Sequence, residues 1–183
     1  FDVFSLVGES HEQVDEHIVV DPELLLGAFD GHARSPEAEG AFGRAGPRVE
    51  GVIQPFEGLA DVADGVQIMK PIPGLRELCE RAVGLGVFGT KMRSVVQLAN
   101  GAGVNAVVDQ QFEVAKEIIA AGLVPIIEPE VDIHSPEKEA AEGLLRDRIA
   151  MQLDELTDDQ PVMLKLSIPS VDDFYAPLIA HPK

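Results

Sequence analysis

A chain of 183 residues that is 45% hydrophobic and 25% charged has the size and apolar content of one ordinary globular domain. Its formal net charge of -18 argues against nucleic acid as a partner, because phosphate backbones are held by basic surface. No apolar run approaches the ~18 residues of a membrane span and no charged-then-apolar leader opens the chain, so neither a membrane nor export is expected. The single cysteine, Cys79, forms no internal disulfide framework and fits a reducing, cytoplasmic compartment. The opening residue is Phe1 and not Met, which points to a start further upstream.

In chain order, the first part is poorly patterned. Residues 24–29 (LLLGAF) and Val52-Ile53 are short apolar stretches that read as strands. Residues 30–48, rich in Gly, Pro, Ala and charge, read as loop or disorder. From about residue 58 the elements alternate. Residues 75–83 predict a helix carrying Cys79 as a buried structural thiol. Val87 to Arg93 predicts a strand. Residues 105–121 predict a helix with Val108, Phe112, Ala115 and Ile119 on one face and Gly122 at its C-terminal end. Val124 to Pro129 predicts a strand. Residues 136–156 predict a helix with Ser135 as N-cap, Pro136 in the first turn, and a stripe of Ala141, Leu145, Ile149, Leu153 and Leu156. Val162 to Ile168 predicts a strand, and residues 171–180 a further helix. Strands alternating with helices imply βα units and a parallel sheet, either doubly wound or a (β/α)8 barrel.

Three of these strands carry charge late in an apolar run. Alternation of side chains puts Lys91 and Arg93 on one face with Gly89, Glu128 and Glu130 on one face with Ile126, and Lys165 between Met163 and Ser167. Active sites of parallel α/β folds gather at the carboxyl ends of strands. Two lysines, an arginine and two glutamates are therefore expected to converge at one end of the sheet. A charge at a strand end is ordinarily a solvated rim residue, but the pattern repeats on three successive strands. Lys165, between VML and LSIP, is the strongest case. A lysine in apolar surroundings costs desolvation unless it sheds its proton or finds a partner. A neutral lysine beside another cation, a role open to Lys91, is what Schiff-base chemistry requires, and Glu128 is placed to shuttle protons.

The same segments carry a family resemblance: GVQIMKPIPGL (65–75), FGTKMRS (88–94), VDQQFEVAKEIIAAGLVPIIEPEVDI (108–133) and VMLKLSIPS (162–170). They resemble the bacterial type of class I, Schiff-base fructose-1,6-bisphosphate aldolase from about Gly58 to Lys183. The resemblance implies a (β/α)8 TIM-barrel fold, here a partial barrel of about five βα units in a single domain over 1–183, with residues 1–57 divergent. It implies that Lys165 forms the Schiff base, that Glu128 is the acid/base, that Glu130 positions the charged groups, that Lys91 stands by the reacting carbons, and that Arg93 lies near a substrate phosphate. It implies a sugar-phosphate substrate and no metal or cofactor, since an iminium replaces the Lewis acid of a metal-dependent aldolase.

The chain departs from the family at LGAFDGHAR (26–34) and PFEGLA (55–60), where a strand glutamate, a lysine and an aspartate of the family are missing. The family's first strand is expected upstream of Phe1 and its last two beyond Lys183, so residues 1–183 alone are expected to cleave fructose 1,6-bisphosphate weakly at most. The other readings are an inactive remnant that only binds sugar phosphates or a partner, and a Schiff-base aldolase of a different substrate. A homo-oligomer is compatible with the sequence, which does not fix the oligomeric state. Gly84 to Gly89 satisfies GxGxxG but follows a helix and opens a strand, the reverse of a dinucleotide site. Lys70 reads as a surface lysine or part of the phosphate approach, and Ser167 as a polar rim residue. His11 and His17, among acidic residues, fit no standard zinc spacing.

Overall fold

The computed structural model describes residues 52–53 and 57–182. The strand expected at 24–29, the loop at 30–48, and His11 and His17 lie outside these residues. The described elements are β1 (Val52–Ile53), β2 (Val66–Gln67), α1 (Leu75–Gly84), β3 (Gly89–Lys91), β4 (Ser94–Val96), α2 (Gly101–Ala120), β5 (Val124–Ile127), β6 (Pro129–Val131), α3 (Lys138–Asp154), β7 (Met163–Leu164) and α4 (Ala176–Ile179).

The main sheet has the order β1-β3-β5-β7, and every pairing in it is parallel. Each pair of neighbours is linked by a segment containing a helix, as parallel strands require. Among the described residues the order advances in one direction without a switch point.

A second sheet, β2-β4-β6, grows out of the first. One register runs through both: Gly89 stands opposite Val124, Lys91 opposite Ile126, Ser94 opposite Pro129 and Val96 opposite Val131. The β3–β4 and β5–β6 segments are thus two long extended stretches in one register, each interrupted once. The expected strand 87–93 therefore divides at Met92-Arg93 and continues to Val96. The expected strand 124–129 divides at Glu128 and continues to Val131. The expected strand 162–168 is ladder-paired only at Met163–Leu164.

Helix α2 begins at Gly101, four residues before the sequence pattern suggests, because Asn100 caps it by accepting from the Gly103 N–H at 3.1 Å. Its C-terminal turn ends on Gly122 in the left-handed region, φ 92°, a conformation that glycine adopts without steric cost. Its inner stripe is Val104, Val107, Val108, Gln111, Phe112, Ala115 and Ile118, with Ile119 only half-buried. Burying Phe112 completely contributes about 2–3 kcal/mol.

Helix α3 starts at Lys138, and Glu137 takes the capping position in place of Ser135. Ser135 instead donates its hydroxyl to the Gln97 carbonyl at 2.6 Å. The expected apolar stripe on α3 is buried, Leu156 included. Asp109 of α2 fastens the two helices, accepting from Arg148 Nε at 2.8 Å and from Gln152 Nε2 at 3.0 Å. The last expected helix, 171–180, is reduced to Ala176–Ile179 after a run of turns. Cys79 is buried on α1 with Leu75 and Ala82. Among the described residues, no helix is long and apolar enough to cross a membrane.

Candidate active site

Three adjacent parallel strands end on the expected charged residues. Lys91 is the last residue of β3, Glu128 follows the last residue of β5, and Lys165 follows the last residue of β7. Backbone pairing continues to that point: the Lys165 N–H donates to the Ile127 carbonyl at 2.9 Å, and the Met92 N–H donates to the Ile126 carbonyl at 3.1 Å. The sheet, and not a mobile side chain, therefore fixes where the three residues start.

The three side chains meet at one carboxylate. Lys165 Nζ donates to Glu128 Oε1 at 2.6 Å, and Lys91 Nζ stands 3.1 Å from Glu128 Oε2. The Lys91 contact lacks hydrogen-bond alignment, since Oε2 is a buried oxygen with no hydrogen-bond partner among the described residues. It is a charge contact that a small lysine movement converts into a hydrogen bond. The Glu128 side chain is 6% exposed. Burying a carboxylate is costly unless it is paired, and two lysines stand in contact with this one.

Arg93 and Glu130 form a separate pair, Arg93 NH2 to Glu130 Oε2 at 2.7 Å. The expected single cluster of five charges is thus two contact sets, Lys91–Glu128–Lys165 and Arg93–Glu130. Arg93 and Glu130 each lie two residues further along the chain than Lys91 and Glu128, past the ends of β3 and β5. Arg93 Nε is buried and has no hydrogen-bond partner among the described residues.

Lys165 differs from expectation in its surroundings. Its apolar flanks predict a shielded amine, yet 57% of its side chain is exposed. The cause is local: Met163 is itself exposed, and among the described residues β7 pairs only with β5. Solvent reaches Lys165 from that flank, and Glu128 is the partner that compensates its charge.

Several residues around the site carry no sequence signal of their own. Gln111, wholly buried on α2, accepts from the Glu128 N–H at 2.8 Å and donates to Ser94 Oγ at 3.0 Å. Its neighbour Gln110 grips the backbone of Met69 in both directions, at 2.8 and 2.9 Å. Ser167 is more than a rim residue: its hydroxyl donates to the Val131 carbonyl at 2.9 Å and accepts from the Val131 N–H at 3.0 Å. Glu142 is fully buried on α3. It pairs with Lys138 and accepts from the Ser170 N–H at 3.0 Å, while Lys138 also donates to the Ile168 carbonyl at 2.7 Å. The segment after Lys165 is thereby clamped to α3. The detectable signal for Gln111 and Glu142 is a polar residue at the spacing of a buried helical stripe, which must find partners. Lys70 is exposed and takes no part in the Glu128 contacts.

No family model matches the chain. Three curated relatives are each a fructose-bisphosphate aldolase class 1. The one from Porphyromonas gingivalis is 58% identical over 126 residues, 69% of this chain and 42% of that protein. That from Synechocystis sp. is 54% identical over 130 residues, 71% of this chain and 43% of that protein. That from Clostridium acetobutylicum is 52% identical over 126 residues, 69% of this chain and 43% of that protein. The match spans less than half the length of these relatives. Among solved structures, the arginine decarboxylase of Paramecium bursaria Chlorella virus aligns with a TM-score of 0.42 at 18% identity, over 66% of this chain and 34% of that one. Its agmatine-bound form aligns with a TM-score of 0.41 at 16% identity, over 66% of this chain and 35% of that one. Likeness this slight has no bearing on the site. Across about 70% of its length the chain is a relative of the class 1 fructose-bisphosphate aldolases.

Proposed function

We propose that this chain carries the Schiff-base machinery of a class I fructose-bisphosphate aldolase, with Lys165 as nucleophile and Glu128 as acid/base. The observation that carries this reading is the buried Glu128 carboxylate, held between Lys165 and Lys91 at the carboxyl ends of three adjacent parallel strands. The one-directional strand order supports a (β/α)8 barrel arrangement, in which such strand ends form the active face. The single buried thiol suits a cytoplasmic setting.

In the proposed reaction, Lys165 Nζ attacks the C2 carbonyl of fructose 1,6-bisphosphate. The carbinolamine loses water to give an iminium, with Glu128 supplying the proton that leaves as part of that water. Deprotonation of the C4 hydroxyl then breaks the C3–C4 bond, and the electron pair flows into the iminium. Glyceraldehyde 3-phosphate departs and an enamine remains. A proton returned to C3 and attack of water on the regenerated iminium release dihydroxyacetone phosphate and the free Lys165 amine. Glu128, within contact of both lysines, is placed for each proton transfer. Lys91 holds positive charge beside the carbons where charge develops. Arg93 supplies a guanidinium for a phosphate, and Glu130 fixes its orientation.

Borohydride trapping with dihydroxyacetone phosphate, read by intact mass and peptide mapping, tests the reading. An adduct on Lys165, absent from Lys165→Met, is the expected outcome. A folded chain that gives no adduct, or an adduct on another lysine, refutes it.

A further inference from the structure

The Glu128 N–H leaves the parallel ladder at the point where the carboxylate is needed. The register common to both sheets, Lys91 with Ile126 and Ser94 with Pro129, sets Arg93 opposite Glu128. A regular parallel rung there runs from the Glu128 N–H to the Met92 carbonyl. Instead the N–H donates to Gln111 Oε1 at 2.8 Å. The Glu128 carbonyl keeps its rung, accepting from the Ser94 N–H at 3.1 Å. Gln111 Nε2 completes a ring by donating to Ser94 Oγ at 3.0 Å. Gln111, Ser94 and Glu128 are all buried, so water does not stand in for a lost partner.

We propose that Gln111 is a positioning residue for Glu128. Inserted from α2 in place of a ladder rung, it holds the backbone from which the carboxylate reaches Lys91 and Lys165 together. A primary amide is suited to this, because one end accepts while the other donates. An apolar isostere does neither. Without the amide, the Glu128 N–H is a buried donor without an acceptor, and the Met92 carbonyl is the nearest ladder partner to satisfy it. Taking that partner draws the Glu128 backbone toward β3 and moves the carboxylate relative to both lysines. The inference rests on the assignment of Glu128 as the acid/base group.

The test measures the rate of borohydride-trapped adduct formation at Lys165 across pH for the wild-type chain, Gln111→Met, Ser94→Ala, Glu128→Gln and Leu145→Ala. Leu145 is a fully buried α3 residue outside the ring and controls for loss of stability. Glu128→Gln is expected to slow trapping about a hundredfold or more. Gln111→Met is expected to slow it about ten- to a hundredfold and to displace the pH–rate profile, and Ser94→Ala to do so less, since a small misplacement of a reacting group costs this much. Leu145→Ala is expected to melt earlier with the wild-type profile retained. If Glu128→Gln is slow but Gln111→Met follows the wild type, or loses rate only as Leu145→Ala does without a change of profile, the positioning role is wrong and the assignment of Glu128 stands. If Glu128→Gln traps as fast as the wild type, or the wild type gives no adduct, that assignment falls and the inference falls with it.

Discussion

Tyr175 places a hydroxyl in the interior with no hydrogen-bond partner among the described residues. Burial pushes its ionisation well above the ordinary tyrosine value of 10.0, the Glu142 carboxylate pushes the same way, and the Arg146 guanidinium opposes both. Arg146 is otherwise committed, stacking on Phe174 at 4.6 Å and pairing with Asp147. The folded state thus holds the phenol proton more tightly than the unfolded chain does. Its contribution to stability is complete below pH ~10 and is lost as pH rises above that value toward the folded-state ionisation, at no more than about 1.4 kcal/mol per pH unit for one proton. Tyr175→Phe removes this dependence. It also removes an unpartnered buried hydroxyl, so it is expected to be neutral or stabilising near pH 7. Urea midpoints at about pH 7 and about pH 10.5 check both parts. A variant that loses alkaline stability as steeply as the wild type shows that another group is responsible. The same physics acts on Cys79: burial, then Glu117, raises the thiol, as suits a structural cysteine.

At the scale of elements, the close approach of α2 to the β2 turn depends on Gly103. A Cβ built there meets the Asp64 carbonyl oxygen at 2.3 Å and Val66 Cγ1 at 2.9 Å. The oxygen belongs to backbone and cannot swing aside, so Gly103→Ala is expected to cost about 1–3 kcal/mol despite the better helix propensity of alanine. A urea midpoint equal to or above the wild-type value shows that the turn yields. Gly101→Ala is the control, since its Cβ meets nothing within 4 Å. This contact also bears on why the start of α2 is hidden in the sequence: glycine is a poor helix former, yet a Cβ at Gly101 would meet nothing, while Gly103 is required by a neighbour 39 residues earlier. The strands divide the same way. Lys91, Glu128 and Lys165 are legible, because charge at the end of an apolar run is locally improbable. The interruption of the ladder beside Glu128 is not, because its hydrogen-bond partner comes from another element. Gln111 replaces a rung at Glu128, and Ser167 bonds both backbone groups of Val131. Periodicity reports which face a residue takes, but not which distant amide takes over a ladder bond.

For the whole molecule, the decisive quantity is charge. The two contact sets at the strand ends contain three cations, Lys91, Lys165 and Arg93, and two carboxylates, Glu128 and Glu130. One net positive charge remains there, in a chain whose formal charge is -18. A sugar phosphate therefore meets repulsion at long range and attraction only on arrival. The two respond differently to salt. Screening over a Debye length of about 30 Å at 0.01 M shortens to about 8 Å at 0.15 M, which suppresses the distant acidic field first and contacts of about 3 Å least. The rate of Lys165 trapping by dihydroxyacetone phosphate is accordingly expected to rise when sodium chloride is raised over this range, the opposite of the usual behaviour of an anion meeting a basic site. Unphosphorylated dihydroxyacetone, which carries no charge, is expected to be indifferent to salt and slower at every concentration, because it gains nothing from Arg93. A phosphate ester whose trapping falls steadily with salt indicates that the local cations outreach the acidic remainder of the chain, and that the approach to the site is lined by more positive charge than these three side chains provide.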